Sequence, residues 1–188
     1  MWIRPLTKAT WPDLQTLFGP NGAVAGCWCM WWRVGAKDWS TNGNAGNRAA
    51  FEEVACSGQP SGLLAYQGKQ PIGWVAVAPR SEYPRLLRSR ALRLDPADDS
   101  PELWSVTCFF INRHHRGQGV ATELLAGAIA YAAEHSAKTL EAYASDTSRG
   151  RRSSGDLFTG TVALFAAAGF TPSGQAPGAR TVMRRTVP

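Results

Sequence analysis

The chain has 188 residues, of which 44% are hydrophobic and 18% charged. That is long and apolar enough for a sizeable core and excludes a disordered chain. The formal net charge of +6 favours an anionic ligand without choosing among nucleic acid, a nucleotide cofactor and plain solubility. The arginines fall in three separate stretches, 80–93, 149–152 and 180–185, rather than along one helix, which argues against nucleic acid. No apolar run is long enough to span a bilayer, and the start, MWIRPLTKATWPDLQ, lacks the apolar stretch of a signal peptide. The expectation is a cytoplasmic protein with no membrane partner and with reduced cysteines. Cys27 and Cys29 form C-x-C, but no further His or Cys cluster completes a ligand set, so no metal is expected.

In chain order, TKATWPDLQTLF reads as a first helix, with Thr10 as cap and Pro12 tolerated in the first turn. GCWCMWWR is dense in aromatics and poor in helix signals. NRAAFEEVACSG reads as a second helix, with Ala50, Phe51 and Val54 on one face and Gly58 as its stop. The period then changes. GLLAYQ and PIGWVAVAP are strands joined at Gly68-Lys69, a hairpin signal. Residues 83–102 read as a connection with one helical turn. LWSVTCFFI is a strand apolar on both faces, so it belongs inside a sheet. A helix from Val120 to about Ser136 follows, with Ala121, Leu124, Leu125, Ala128 and Ala132 on one side. KTLEAYASD is a strand, RGRRSSGD a loop, LFTGTVALFAAAGF contains a short helix, and a strand pair ends the chain. The single strand–helix–strand unit predicts one parallel pair within an otherwise antiparallel sheet of mixed α/β, α+β type. The elements do not alternate as in a doubly wound nucleotide fold.

Gly117 and Gly119 stand where the central strand gives way to its helix, beside Arg116. The first amides of a helix lack intrahelical partners and carry partial positive charge. Glycines leave the approach to those amides unblocked, so the turn suits a pyrophosphate. Gly-x-Gly is also compatible with a tight turn alone. Neither a third glycine of dinucleotide type nor a P-loop Lys-Ser/Thr is present.

The unit strand–RGQGVA–helix–strand resembles motif A of the GNAT superfamily of acyl-coenzyme A-dependent N-acyltransferases, Gln/Arg-x-x-Gly-x-Gly/Ala. Arg116, Gly117, Gln118 and Gly119 match, and His114 departs from the first position. LFAAAGF, residues 164–170, resembles the family's Leu-Tyr-x-x-x-Gly-Phe. The resemblance covers residues 62–185 and, with the N-terminal helices, implies a single acyltransferase domain over 1–188. It implies a six- to seven-stranded, mostly antiparallel sheet with one splayed parallel pair and helices on both faces. The implied activity is acetyl transfer from acetyl-CoA to a primary amine of a small molecule or protein, by direct attack in a ternary complex. The alternative is an acyl-CoA-binding regulatory module without efficient turnover. Homodimers through a sheet edge are frequent in the family.

The resemblance further implies that the backbone of Phe109, Phe110 and Ile111 meets the pantetheine arm, and that Arg116, Gly117, Gln118, Gly119, Val120 and Ala121 hold the pyrophosphate. Ser145 and Asp146 would end the diverging strand near cofactor or acceptor. Arg149, Arg151 and Arg152 could meet a 3′-phosphate, or form an exposed basic loop. Phe110 or Ile111 would supply the amide that stabilises the oxyanion. Candidate carboxylates for proton removal are Glu82, Glu102, Glu141 and Asp146. Glu141 alternates with Leu140 and Ala142 on a central strand and is therefore the best held. Phe165 occupies the family's tyrosine slot and cannot donate a proton, so either the thiolate leaves unassisted or Tyr143, Cys108 or Tyr83 donates; Tyr143 equally fits a half-buried sheet aromatic. Trp28, Trp31 and Trp32, with Arg80 and Tyr83, would line the acceptor side as a pocket for a flat or cationic amine, or else lie in the core.

Overall fold

The computed structural model describes residues 1–89, 92, 100–148, 150, 153, 155–173 and 180–187. Seven strands share one sheet: β1 (Trp2–Pro5), β2 (Leu63–Gln67), β3 (Gln70–Pro79), β4 (Leu103–Ile111), β5 (Thr139–Ser145), β6 (Thr171–Pro172) and β7 (Arg180–Thr186), in the order β1-β2-β3-β4-β5-β7-β6. Each neighbouring pair is antiparallel except β4 and β5, which run parallel. The connection between those two is α4 (Val120–Glu134), the right length for a parallel crossover.

Leu124, Leu125, Ala128 and Ala132 recur at helical spacing along α4 and bury against Val75, Val77, Val106, Leu140 and Ala142. The short helix α5 (Val162–Ala167) adds Phe165 to the same layer. The opposite face carries α1 (Trp11–Phe18) and α2 (Ala36–Cys56), whose Leu14, Phe18, Phe51 and Ala55 pack on Leu64, Tyr66, Trp74 and Ala76. A third cluster continues that face outward. There Ala78, Tyr143 and Val182 meet Trp32, Tyr83 and Leu86, the last on the single turn α3 (Pro84–Leu87). Both faces of β3 and β4 are therefore covered, which is why neither strand shows polar–apolar alternation.

Two local readings are corrected and one strand is added. The second helix starts at Ala36, not at Asn47, and is kinked where Gly43 takes φ 57°, ψ −162°. The stretch before Asn47 holds two glycines and two asparagines, poor helix formers. Tertiary bonds fix it instead: Asn47 Nδ2 donates to Gly26 O at 3.0 Å, and Trp28 Nε1 to Asn44 Oδ1 at 2.6 Å. The first four residues after Met1 form the edge strand β1, where Trp2 stacks on Tyr66 with centroids 4.1 Å apart. Thr10 stands at the start of α1 but does not cap it; its hydroxyl donates to Pro5 O at 3.0 Å.

Candidate active site

The site is set by where β4 and β5 part. Their parallel register runs from Leu103↔Thr139 to Val106↔Ala142 and goes no further. At the next residue β4 carries a bulge: Ala76 pairs with Cys108 and Val77 with Val106, leaving Thr107 as the extra residue. A bulge bends its strand and raises the local twist, so β4 turns away from β5 over its last residues, Cys108 to Ile111.

Hydrogen bonds tell which amides face the resulting gap. Phe109 N donates to Phe158 O at 2.6 Å, across the gap, whereas Asn112 N donates to Ile72 O on β3 at 2.9 Å. Donor direction alternates along a strand, so the amides of Phe109 and Ile111 face the gap and that of Phe110 faces β3. The naming of Phe110 as oxyanion donor is corrected accordingly: its N–H belongs to the β3–β4 ladder, where it lies opposite Trp74.

Beyond Ile111 the chain makes a 3₁₀ turn (Arg113–His115) and then the glycine turn. Asn112 Oδ1 accepts from His114 N at 3.1 Å, Arg116 Nε donates to Ile111 O at 3.2 Å, and Gln118 Nε2 donates to His114 O at 3.0 Å. These bonds hold the turn from within. Gly117 and Gly119 have φ of +73° and +79°, and a Cβ added to either would meet nothing within 4 Å. Gly119 is the N-cap of α4 and supplies no side-chain cap. The first amide to find a helical carbonyl is Glu123, which donates to Gly119 O at 3.1 Å; those before it have no intrahelical acceptor. Residues 116–119 are exposed while Val120 is buried and anchors the helix start. The result is a rigid, open, electropositive cradle that fits a pyrophosphate.

Glu141 and Tyr143 lie on the α2 side of β5, fully buried. Glu141 Oε2 accepts from Arg184 Nε at 2.8 Å and Nη2 at 2.7 Å; its Oε1 accepts from the Tyr143 hydroxyl at 2.6 Å and lies 3.7 Å from Arg80 Nη1. The Tyr143 oxygen is also 3.0 Å from Ser105 Oγ. Both carboxylate oxygens are thus engaged by the protein. Burial, and then the Glu141 charge, push the Tyr143 phenol well above its ordinary value. The other two donor candidates also keep their protons: Tyr83 through burial, Cys108 through its hydrogen bond with Cys29 and then burial. Arg184 and Ser105 complete this cluster and were not singled out from sequence, although Arg184 stands directly opposite Glu141 in the β5–β7 register.

The remaining carboxylates are dispersed. Glu102 is exposed at the far end of β4 from the gap, Glu82 pairs with Arg33 at 3.0 Å, and Asp146 follows the end of β5, where Oδ1 accepts from Ser148 N at 2.8 Å. Phe165 is fully buried against Phe109 and Phe170. We expect Phe165→Tyr to lose about 1–3 kcal/mol of stability, because the new hydroxyl enters an apolar pocket, and to gain no activity; thermal melts and a transfer assay check both.

Trp28 lies in the core, 3% exposed, between Trp11 and Phe18. Trp31 and Trp32 line a cleft of about 420 Å³ together with Arg85 and Arg88. The Arg85 guanidinium sits 3.5 Å over the Trp31 ring, so a cation of the protein already covers that face. Arg80 is buried beside Glu141, and Tyr83 is buried beneath the Arg33 guanidinium at 4.7 Å. Trp32 links cleft and strands, with its ring 6.4 Å from that of Tyr143. Arg149, Arg151 and Arg152 lie outside the described residues. Among the described residues no group of three or more His, Cys, Asp or Glu could hold a metal, and no helix is long and apolar enough to cross a membrane.

The thiols add a pH dependence. Burial, followed by the neighbouring Cys29, raises Cys27 from 9.0 to about 11. The unfolded chain releases that proton first, so the contribution is intact below pH 9 and fades as pH rises toward 11. We expect a melting temperature that declines over this window, by up to about 3 kcal/mol in stability, and a shallower decline in Cys27→Ala. A profile identical in the two proteins would contradict this.

Residues 21–153 match the model of the Acetyltransferase (GNAT) family. Curated protein sequences give no match. Among solved structures, the chain is similar to an N-acetyltransferase from Staphylococcus aureus Mu50 (13% identity, TM-score 0.57, covering 100% of this chain and 98% of that one). It is similar to yncA from Salmonella typhimurium with its cofactor acetyl-CoA (14%, 0.55, 100% and 94%) and to the PaiA N-acetyltransferase of Thermoplasma acidophilum in complex with coenzyme A (11%, 0.54, 98% and 98%). These likenesses concern the fold, and it is the family match, spanning the parted strands and the glycine turn, that places the chain: it belongs to the GNAT acetyltransferase family.

Proposed function

We propose that the protein transfers an acetyl group from acetyl-CoA to a primary amine of a small molecule or protein, with residues 1–188 acting as one acyltransferase domain. The observation that carries this reading is the glycine cradle, empty of side chains, at the end of the strand that parts from its parallel neighbour. The amides from Gly117 to Ala121 and the charge of Arg116 would hold the pyrophosphate. Bound acetyl-CoA supplies an acetyl thioester, activated toward amines.

The chain's own contribution is binding and polarisation. The gap-facing amides of Phe109 and Ile111 are the donors available to an acyl oxygen, the first now satisfied by Phe158 O. Glu141, with both oxygens occupied, serves as a positioning residue: it fixes the Tyr143 hydroxyl and the Arg184 guanidinium. Tyr143, protonated at neutral pH, is the proposed proton donor to the leaving sulfur, which requires its hydrogen bond to turn from Glu141 to the gap. Ser145 borders the gap on the β5 side. Trp31 and Trp32 form the acceptor wall, and because Arg85 and Arg88 share that cleft, an acceptor bearing an anionic group suits it better than a purely cationic one. Incubation with acetyl-CoA and a panel of amines should release free thiol.

A second reading, an acyl-CoA-binding module without efficient turnover, is favoured by Phe165 in the tyrosine slot and by the occupied Phe109 amide. Tight coenzyme A binding with no transfer across the panel would select it.

A further inference from the structure

The gap between β4 and β5 is not empty. Residues Leu157 to Gly160 run through it. Phe158 O takes the Phe109 amide at 2.6 Å, Gly160 O takes the Ser145 amide at 2.8 Å, and Ser145 Oγ donates to Asp156 O at 3.0 Å. Thr161 continues this as a parallel bridge to Ser145. The segment thus bonds to both strands where they no longer bond to each other. Its side chains are held too: Thr159 is fully buried and its Oγ1 accepts from Arg180 Nη1, whose guanidinium also lies 4.7 Å over the Phe158 ring. Gly160, at φ +82°, packs so closely on Phe165 that a Cβ there would come within 2.7 Å of the ring.

On the proposed function, the Phe109 amide is a donor that an acyl oxygen needs, and a peptide carbonyl of the chain itself now fills that position. We propose that Leu157–Gly160 is an internal strap that occupies the acyl slot of the free protein, with Phe158 O standing in for the thioester oxygen, and that acyl-CoA displaces it. The inference rests on the acetyl-CoA reading. A strap held by a handful of bonds reduces apparent affinity by the fraction of molecules in which it is open, so loosening it strengthens binding. The exchange conserves hydrogen bonds at Phe109, which changes acceptor, but releases those at Ser145 and within the strap.

The test is amide hydrogen exchange by mass spectrometry on the full chain, with and without saturating coenzyme A and acetyl-CoA, paired with calorimetric titration of the wild type and Thr159→Val. The valine keeps the volume of the side chain and removes the Thr159 Oγ1 acceptor of the bond from Arg180. Expected are slower exchange over 112–124, faster exchange in peptides carrying Ser145 and residues 156–161, and acetyl-CoA binding about threefold to tenfold tighter in Thr159→Val, the range for one lost hydrogen bond. Binding with unchanged or slower exchange over 156–161 overturns the strap and leaves the acetyl-CoA reading intact. Binding by Thr159→Val but not by the wild type supports the strap in its strongest form. Failure of both proteins to bind overturns the acetyl-CoA reading and the strap with it. Should Thr159→Val misfold, the wild-type exchange pattern alone decides.

Discussion

Gly117→Val and Gly119→Val should each weaken acetyl-CoA binding at least about 100-fold while the protein stays folded. Both glycines occupy left-handed backbone conformations, at φ +73° and +79°. A β-branched residue there costs about 1–3 kcal/mol in strain, or a few degrees of melting temperature in a chain of this size. That alone is a small loss, because no protein atom lies within 4 Å of the added Cβ. The space it would fill is the one proposed for the pyrophosphate. Valine blocks the approach to the amides of the turn and biases their directions, so each variant loses phosphate hydrogen bonds of the charge-assisted kind, about 1.5–3 kcal/mol apiece. A calorimetric titration set beside a thermal melt separates the two effects. Variants that bind as well as the wild type would show that the turn is only a tight connection.

Glu141→Gln should have the opposite profile: a large loss of stability with the cradle intact. The carboxylate is fully buried and meets Arg184 through two short bonds, with Arg80, itself fully buried, at 3.7 Å. The amide keeps the shape and removes a buried negative charge that faces two guanidiniums. Breaking a buried ion pair from one side costs about 3–5 kcal/mol, so the melting temperature should fall on the order of 10 °C. The Tyr143 hydroxyl can still donate to the amide oxygen, and the glycine turn lies on the other side of the gap, so acetyl-CoA affinity should change less than about threefold. A melting temperature within 2 °C of the wild type would show that Glu141 is not the keystone of this cluster, and a normal melt with lost turnover would return it to the role of general base.

Legibility in the sequence followed the range of the interactions involved. The glycine turn was legible because two φ-positive glycines at a strand–helix junction are a local signal. So was α4, whose apolar face repeats every turn. The parallel pair followed from the crossover helix. Glu141 was visible through alternation alone, Leu140 and Ala142 pointing one way and the carboxylate the other. The bulge at Thr107 was not visible, since nothing in TCFFI marks an extra residue, and it decides which amides face the gap; for that reason the sequence could not choose between Phe110 and Ile111 as oxyanion donor. The first half of α2 was hidden because side-chain bonds from Asn44 and Asn47 to distant residues, not propensity, hold it. The strap was out of reach as well: its defining bond joins Phe109 to Phe158, 49 residues apart, through backbone atoms that carry no sequence signature. Trp28 shows the converse limit, since composition could not say which tryptophans of GCWCMWWR turn inward.

On the proposed function, the amides following the parted strand fasten the diphosphate of acetyl-CoA. The most direct measurement is a coenzyme A titration of the ¹⁵N-labelled protein followed by amide resonances. Expected are saturable one-to-one shifts that are largest at Gly117 to Thr122 and reach Phe109 and Ile111. Shifts that are absent, or that centre on another face of the sheet while Gly117 and Gly119 stay put, would contradict it.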